Sequence, residues 1–198
     1  MNRHVVSLIL MFPIFVSSHW INAQDKSSTI QRLQSQGLVV RVPTQSKKIK
    51  VLKEIIYTGG KNASSAQKQL SQTIKEDSTR FSNILWAFKD NYKATKYVFV
   101  PDSLYRRFLD NASNVFLSED MQLIDIQGIN RKDIFLMSFT DKDQFILTND
   151  DGYVFDAPLP YKKSIFLNSI KRVFNLKKYL ATQIKYFETK IKSAIKNL

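Results

Sequence analysis

The sequence predicts an α+β protein, in which a small mixed or antiparallel sheet packs against helices and is followed by a long basic C-terminal helix. In the first half of the chain, short β-branched and aromatic runs alternate with segments of helical periodicity. Short β-rich runs then follow one another at close spacing, and the last segment has no glycine or proline. We therefore predict an α+β domain over residues 24–161 and a basic amphipathic helical tail over residues 162–198.

The first 23 residues have the layout of a secretory signal peptide. Arg3 and His4 form a short positive region, Val5–Val16 is an uncharged apolar core, and Ala23 ends a small-residue cleavage site. The core is too short for a membrane-spanning helix, which needs about 20 apolar residues. The sequence therefore predicts export, with a mature protein that is soluble in the periplasm or associated with the outer membrane.

The mature chain expected from this cleavage has no histidine and no cysteine, because His4 and His19 precede the cleavage site and cysteine is absent. Histidine is the usual proton shuttle near neutral pH and a common metal ligand. Cysteine supplies disulfides, thiolate nucleophiles and ligands for zinc or iron–sulfur clusters. We therefore predict no catalytic residue, no metal and no cofactor, which favours a non-enzymatic protein. Catalysis by carboxylates or lysines stays open.

The first strand is predicted over Leu38–Val42, a β-branched run that Pro43 ends. Upstream, residues 25–36 form a polar leader or a short helix. Thr44 is placed to cap the helix that follows, and the glycine pair at 59–60 is placed to stop it. The apolar residues of this helix recur at helical spacing and are Ile49, Leu52, Ile55 and Ile56.

A longer helix is predicted to begin at Asn62 or Ser64 and to lead to the second strand. Its buried stripe slips slightly around Asp77 and Ser78. The expected members of the stripe are Ala66, Leu70, Ile74, Phe81, Ile84, Leu85 and Phe88. The second strand, Tyr97–Val100, ends at a proline, and we predict that it pairs in parallel with the first across the helical crossover.

Four β-rich runs in the second half predict an antiparallel meander. They are Leu123–Ile126, Ile134–Phe139, Phe145–Thr148 and Tyr153–Asp156. We interpret Asn149–Gly152 as a hairpin turn, since the ligand spacing of a calcium loop is absent. A proline-bracketed linker over Ala157–Tyr161 closes the meander.

Asp102, Arg106 and Arg107 are the first candidates for a ligand site, because they follow the clearest strand at the start of a short helix, where anions bind. Such a site would make the protein a small-ligand binder, or an enzyme with a pocket of carboxylate, lysine and arginine side chains. The structural alternative is that Asp102 caps the helix while both arginines stay hydrated, and capping preference favours it.

The tail concentrates the charge of the protein. Residues 161–198 have a net charge of +9, against +12 for the whole mature chain. We predict one helix over Ser169–Leu198, with Lys177 as the single break in an apolar seam formed by Ile170, Val173, Leu180, Ile184, Phe187, Ile191, Ala194 and Leu198. The basic side chains predicted to form a membrane or partner surface are Lys171, Arg172, Lys178, Lys185 and Lys192.

Three interpretations of this tail remain open. The seam packs on the domain or on a partner helix while the lysines stay hydrated. Alternatively, the helix lies on an anionic membrane, with Phe166, Phe174, Tyr179, Tyr186 and Phe187 in the interface. Nucleic acid is the disfavoured partner, because the chain is predicted to be exported and has no recognisable nucleic-acid motif.

Three short stretches together resemble a group of exported bacterial proteins, found especially in Bacteroidota. They are Leu38–Leu52 (LVVRVPTQSKKIKVL), Tyr97–Pro101 (YVFVP) and Pro158–Tyr161 (PLPY). The group has an LVVRL-like strand and a late PFPYY-like element, and this chain departs from it with Leu159 in place of an aromatic residue. The resemblance implies export, but the group has no assigned activity, so no functional residue is transferred.

Together these observations predict an exported protein of unknown activity that acts as a non-enzymatic accessory or interaction module of the cell envelope. Its basic C-terminal helix would contact an envelope protein or an anionic membrane surface. The alternative is a small-ligand binder or an enzyme that works without histidine and cysteine.

Overall fold

A six-stranded mixed sheet forms the centre of the fold in the computed structural model, which describes residues 28–129, 131, 134–139, 145–149 and 175–196. Its strands are β1 (Leu38–Val42), β2 (Tyr97–Pro101), β3 (Phe116–Leu117), β4 (Leu123–Ile124), β5 (Phe135–Phe139) and β6 (Phe145–Thr148). The order across the sheet is β4-β3-β2-β1-β5-β6.

Helices cover both faces of this sheet, and the predicted α+β class is confirmed. The described helices are α1 (28–36), α2 (Ser46–Thr58), α3 (Ala63–Asn91), a 3₁₀ turn (Asp102–Leu104), α4 (Tyr105–Leu109) and α5 (Leu176–Lys196). The segment upstream of β1 is therefore a short helix. Gly59 ends α2 in the left-handed conformation, at φ 70°, as the glycine pair predicts.

The pairing of β1 with β2 is parallel, as the helical crossover predicts, and the register runs from Leu38 opposite Tyr97 to Val42 opposite Pro101. The chain enters β1 through Gly37, which has φ +82°. A Cβ there would lie 2.8 Å from the carbonyl oxygen of Lys96, so the turn into the sheet needs glycine.

The predicted antiparallel meander is only partly right. β5 and β6 form an antiparallel pair, but β5 lies parallel to β1, and β4 pairs with the short strand β3. Phe135, Leu136 and Met137 are consecutive buried residues, which is typical of an interior strand with both faces covered. The predicted run Tyr153–Asp156, the turn at 150–152 and the linker at 157–161 lie outside the described residues.

Alternation along the strands divides the interior into two clusters. Val40 of β1 and Met137 of β5 belong to the larger cluster, which contains buried residues of α1, α3 and α5. Val39 and Leu136 face the other way and pack with Phe108 of α4. The sheet is therefore buried on both sides, and α5 contributes to one of its two layers.

Aromatic side chains join α3, the sheet and α5 within the larger cluster. The rings of Tyr92 and Phe187 are stacked with centroids 5.5 Å apart, and Phe88 contacts Tyr92 and Phe99 edge-on. Burial raises the pKa of Tyr92 well above its ordinary value, although its hydroxyl has a hydrogen bond with Thr95 at 2.8 Å. Tyr92 therefore stays a neutral core residue at physiological pH.

Helix α5 is an integral part of this core. The predicted seam is confirmed from Leu180 to Ile191, because Leu180, Ile184, Phe187 and Ile191 are all buried, and Ala194 is partly buried. The helix begins at Leu176, after the non-helical Asn175, and not at Ser169 as predicted. Glu188, the one acid of the tail, accepts hydrogen bonds from the backbone N–H groups of Lys93 and Ala94 at 3.0 and 2.9 Å. It therefore fixes α5 to the loop that follows α3.

Candidate functional site

The end of α3 and the beginning of α5 lie side by side and border an open groove, here called the basic groove. Its described lining contains three lysines and no Asp or Glu. The lining residues are Trp86, Asn91, Asn175, Lys177, Lys178, Ala181, Thr182 and Lys185. The groove therefore combines positive charge, one indole ring and short polar side chains.

Lys177 is the residue that breaks the predicted apolar seam, and its position explains the break. Its Nζ lies 4.0 Å from the centroid of the Trp86 ring, which is the geometry of a cation–π contact. Trp86 is half-buried on α3, and Lys177 is exposed. The lysine therefore covers an aromatic face at the surface, while the seam continues into the core from Leu180.

The N-terminus of α5 adds to the positive potential of the groove. The side-chain oxygen of Asn175 accepts a hydrogen bond from the backbone N–H of Lys178 at 2.9 Å and so caps the helix. The first turn has no acidic residue to offset the positive end of the helix dipole. The lysine charges and the positive end of the helix dipole therefore add to one another at this end of α5.

The predicted row of basic residues on the tail divides into parts with different environments. Lys178 and Lys185 are exposed and line the basic groove. Lys192 lies outside the groove, and its Nζ forms an ion pair with Glu188 at 2.7 Å. Lys171 and Arg172 lie outside the described residues.

One version of membrane binding by the tail is wrong. It places Tyr179 and Phe187 in the lipid interface, but these side chains are 4 % and 0 % exposed inside the protein core. Tyr186 is half-buried, and Phe166 and Phe174 lie outside the described residues. The apolar face of α5 is occupied by the protein itself, so its outer face offers mainly charge.

The structure gives Asp102 a different role from the predicted helix cap. No side-chain capping bond forms at the 3₁₀ turn or at α4. Instead, Oδ1 of Asp102 accepts hydrogen bonds from the backbone N–H of Thr44, at 3.1 Å, and from the Thr44 hydroxyl. Arg106 and Arg107 are exposed on α4. The carboxylate of Asp102 thus joins the ends of β1 and β2.

The predicted cap of α2 by Thr44 is also wrong, because the Thr44 hydroxyl bonds to Asp102 and contacts the Ser46 hydroxyl at 2.8 Å. The N-cap position is Gln45, which makes no side-chain capping bond. Its backbone N–H donates to Oδ2 of Asp77, on α3, at 2.8 Å. Two carboxylates from distant parts of the chain therefore fix the junction between β1 and α2.

The sequence interpretation missed the role of Asp77, which it treated only as the point where the buried stripe of α3 slips. Thr73 is buried and Ile74 is 49 % exposed, so Ile74 was wrongly placed in the buried stripe of α3. The observed stripe keeps helical spacing without a slip through Ala66, Leu70, Thr73, Asp77, Phe81, Ile84 and Phe88. The signal that identifies Asp77 is a carboxylate at a stripe position. Asp77 has a structural role at the junction of β1 and α2, and it adds no residue to a binding or catalytic site.

No protein family, curated protein or solved structure matches this chain. In the part of the chain that the structure describes, no group of three or more potential metal-binding side chains comes together. None of the helices described there combines the length and the apolar character that crossing a bilayer requires.

Proposed function

We propose that this chain is an exported, non-enzymatic protein of the cell envelope that binds an acidic partner protein through the basic groove. The signal-peptide layout of residues 1–23 supports export. The absence of histidine and cysteine after that segment supports binding over catalysis. The concentration of charge on the C-terminal helix indicates where binding takes place.

One observation carries this proposal: three lysines line a groove that contains no described acidic residue. Lys178 and Lys185 are seven residues apart on one helix, which corresponds to roughly 10 Å at 1.5 Å per residue. A segment with several carboxylates could contact both ammonium groups at once. The Asn91 side chain donates one amide hydrogen to the carbonyl oxygen of Ala87 and has a second to offer the same segment.

A protein partner fits this surface better than a bilayer does. The apolar seam of α5 lies in the core, so the helix has no apolar face to insert into lipid. A groove between two helices also provides shape, which a flexible acidic segment can follow and a flat membrane cannot. Binding would be electrostatic and would weaken as salt is added.

The alternative function is a small anionic ligand bound at Asp102, Arg106 and Arg107. The carboxylate of Asp102 already accepts two hydrogen bonds from Thr44, and both arginines are exposed on a short helix. These contacts favour a structural use of Asp102, so we prefer the basic groove.

Binding of poly-glutamate followed by tryptophan fluorescence tests the proposal. After removal of residues 1–23, Trp86 is the only tryptophan, because Trp20 lies in the removed segment. We expect saturable binding with a change in Trp86 emission. Replacing both Lys178 and Lys185 by glutamine should weaken binding about tenfold, since each exposed contact contributes up to roughly 1 kcal/mol.

The matched control is Lys53→Gln with Lys61→Gln on the exposed surface of residues 46–76, which changes the net charge by the same amount. This pair should leave the affinity for poly-glutamate nearly unchanged. Equal weakening by both pairs would reduce the effect to net charge and contradict the proposal, and so would the absence of binding. Deleting the tail is a poor test, because it removes core residues of α5.

A further inference from the structure

Helix α2 and the first half of α3, residues 46–76, form a helical hairpin with little core of its own. α3 has 29 residues and is therefore roughly 43 Å long. Its second half packs on the sheet through residues such as Phe81 and Phe88. Its first half packs against α2 in a separate cluster, whose buried members are Leu52, Ala66 and Leu70.

The surface of the hairpin is strongly basic. It carries seven exposed lysines and two exposed acids, Glu54 and Glu76, which gives a net charge of +5 over residues 46–76. The lysines lie on both helices and in the turn between them: Lys47, Lys48, Lys50, Lys53, Lys61, Lys68 and Lys75. The positive charge therefore surrounds the hairpin rather than lining one groove.

Apolar side chains stand in solvent among these lysines. Tyr57 is 93 % exposed and lies within one turn of the hairpin tip at Gly59, while Val51 and Ile74 are each about half exposed. Further isoleucines on α2 are only partly buried against the small cluster, namely Ile49, Ile55 and Ile56. The hairpin thus combines exposed charge with exposed apolar groups, which α5 does not.

We propose that the hairpin docks on an anionic lipid bilayer, with Tyr57 in the headgroup region and the surrounding lysines against the lipid phosphates. Tyrosine suits this position because its ring is apolar and its hydroxyl stays hydrated. Lysine stems lie along apolar surface while their ammonium groups reach polar groups. Basic amphipathic helices associate with membranes by this combination of contacts.

The distribution of the side chains favours lipid over a protein partner. The exposed apolar residues are few and separated, whereas a protein interface needs a contiguous apolar centre with matching shape. Only two of the seven lysines, Lys50 and Lys53, line the open groove on α2 that also contains Glu54 and Tyr57, so the charge is not gathered in one groove that a folded partner would fill. A bilayer requires only many positive charges and a few side chains that tolerate its interface, and the hairpin offers both.

The docking surface is distant from the basic groove. From Ala63, where α3 begins, to Trp86 the helix rises roughly 35 Å. A protein held on a membrane by the hairpin could therefore present the basic groove to a partner. The membrane proposal does not depend on that partner, because it uses different residues.

Vesicle co-sedimentation tests the proposal, with the protein purified in the form that the cell produces after processing. We expect binding to vesicles of phosphatidylglycerol mixed with phosphatidylcholine, and little binding to phosphatidylcholine alone. The double variant Lys53→Gln, Lys61→Gln should lower the partition coefficient about 30-fold, as expected for two lysine–surface contacts. Tyr57→Ser should lower it about fivefold by removing an aromatic ring from the interface.

Two matched controls make the result specific. The pair Lys178→Gln, Lys185→Gln removes the same charge from the basic groove and should change vesicle binding less than about threefold. Leu109→Ser removes another exposed apolar side chain, on α4 at the face of the sheet opposite to α3, and should have no effect. Circular dichroism establishes that each variant is folded.

Equal loss of vesicle binding with both lysine pairs would overturn the proposal, since it would show an effect of net charge alone. Absence of binding to the anionic vesicles would also overturn it. Failure of this membrane proposal can be told apart from failure of the proposed function, because the two are measured separately. The proposed function predicts weaker binding of poly-glutamate when Lys178 and Lys185 are replaced, whatever the result with vesicles.

Discussion

Helices α2 and α5 are both basic and amphipathic, but they bury different fractions of their apolar faces. α5 has seven buried residues among 21, five of them apolar, and lies beside α3 in the layer that covers one face of the sheet. α2 has one buried residue among 13, and within the described part of the chain it packs mainly against α3. A sheet and a neighbouring helix cover a wide apolar face, whereas one helix covers only a narrow stripe.

The difference determines what each helix can offer a partner. The outer face of α5 carries lysines, and its apolar residues are already used by the fold. α2 has exposed lysines and also two exposed apolar side chains, Tyr57 and Val51. Charge alone indicates an acidic partner and strong salt dependence, whereas charge with exposed apolar groups indicates a lipid interface.

The largest difference between the two helices is expected in the free energy of unfolding that is lost when a core residue of each is truncated. Phe187→Ala, in α5, should lower the free energy of unfolding by about 3–5 kcal/mol, because a fully buried ring is lost from the main core. Leu52→Ala, in α2, should cost about 2 kcal/mol or less within its small separate cluster. Chemical denaturation followed by circular dichroism measures both values.

Equal losses for Phe187→Ala and Leu52→Ala would show that the hairpin is as deeply integrated as α5. The claim that α2 is less well supported than α5 would then be wrong. If Leu52→Ala instead produces an early unfolding step in which only part of the helical signal is lost, the contrast between the two helices becomes sharper, because the hairpin would then unfold separately from the sheet.

A second prediction concerns the carboxylate that holds α5 in place. Glu188→Gln should lower the free energy of unfolding by about 2–3 kcal/mol, since two backbone N–H groups and Lys192 lose a charged acceptor. Lys192→Gln is the control, and it should cost less than about 1 kcal/mol because its ammonium is exposed. Equal costs would mean that the surface ion pair, rather than the loop contact, holds the helix.

The smallest effect is expected at the junction of β1 and α2. Asp77→Asn should cost about 1 kcal/mol, by weakening the charged acceptor for the backbone N–H of Gln45. Hydrogen exchange should become faster in α2 and stay unchanged in β1. Asp90→Asn, at an exposed position of the same helix, is the control and should change neither.

Much of the fold follows from local pattern. The β-branched run Leu38–Val42 is the observed strand, and the helical crossover correctly predicts parallel pairing with the next strand. The seam of α5 is recognisable because Leu180, Ile184, Phe187 and Ile191 repeat at heptad-like spacing. These features depend on residues close in sequence, so the sequence alone is sufficient to predict them.

The errors arise where distant residues compete for the same polar group. Thr44 and Asp102 are both typical helix caps, but they lie opposite each other at the ends of two paired strands and bond to each other. The parallel position of β5 beside β1 likewise depends on long-range pairing. Local spacing also cannot tell how much of an amphipathic face is covered, which is the property that separates α2 from α5.

Amide hydrogen exchange is the most direct test of the central claim that α5 is a core element and the hairpin a weakly supported one. The amides of Leu180–Ile191 should exchange only through global unfolding, with protection equal to that of β1. Amides in α2 should exchange faster, through local opening. Rapid exchange in α5, with strong protection in α2, would contradict the account, because the tail would then be a detachable helix and its apolar seam would be free to bind a membrane.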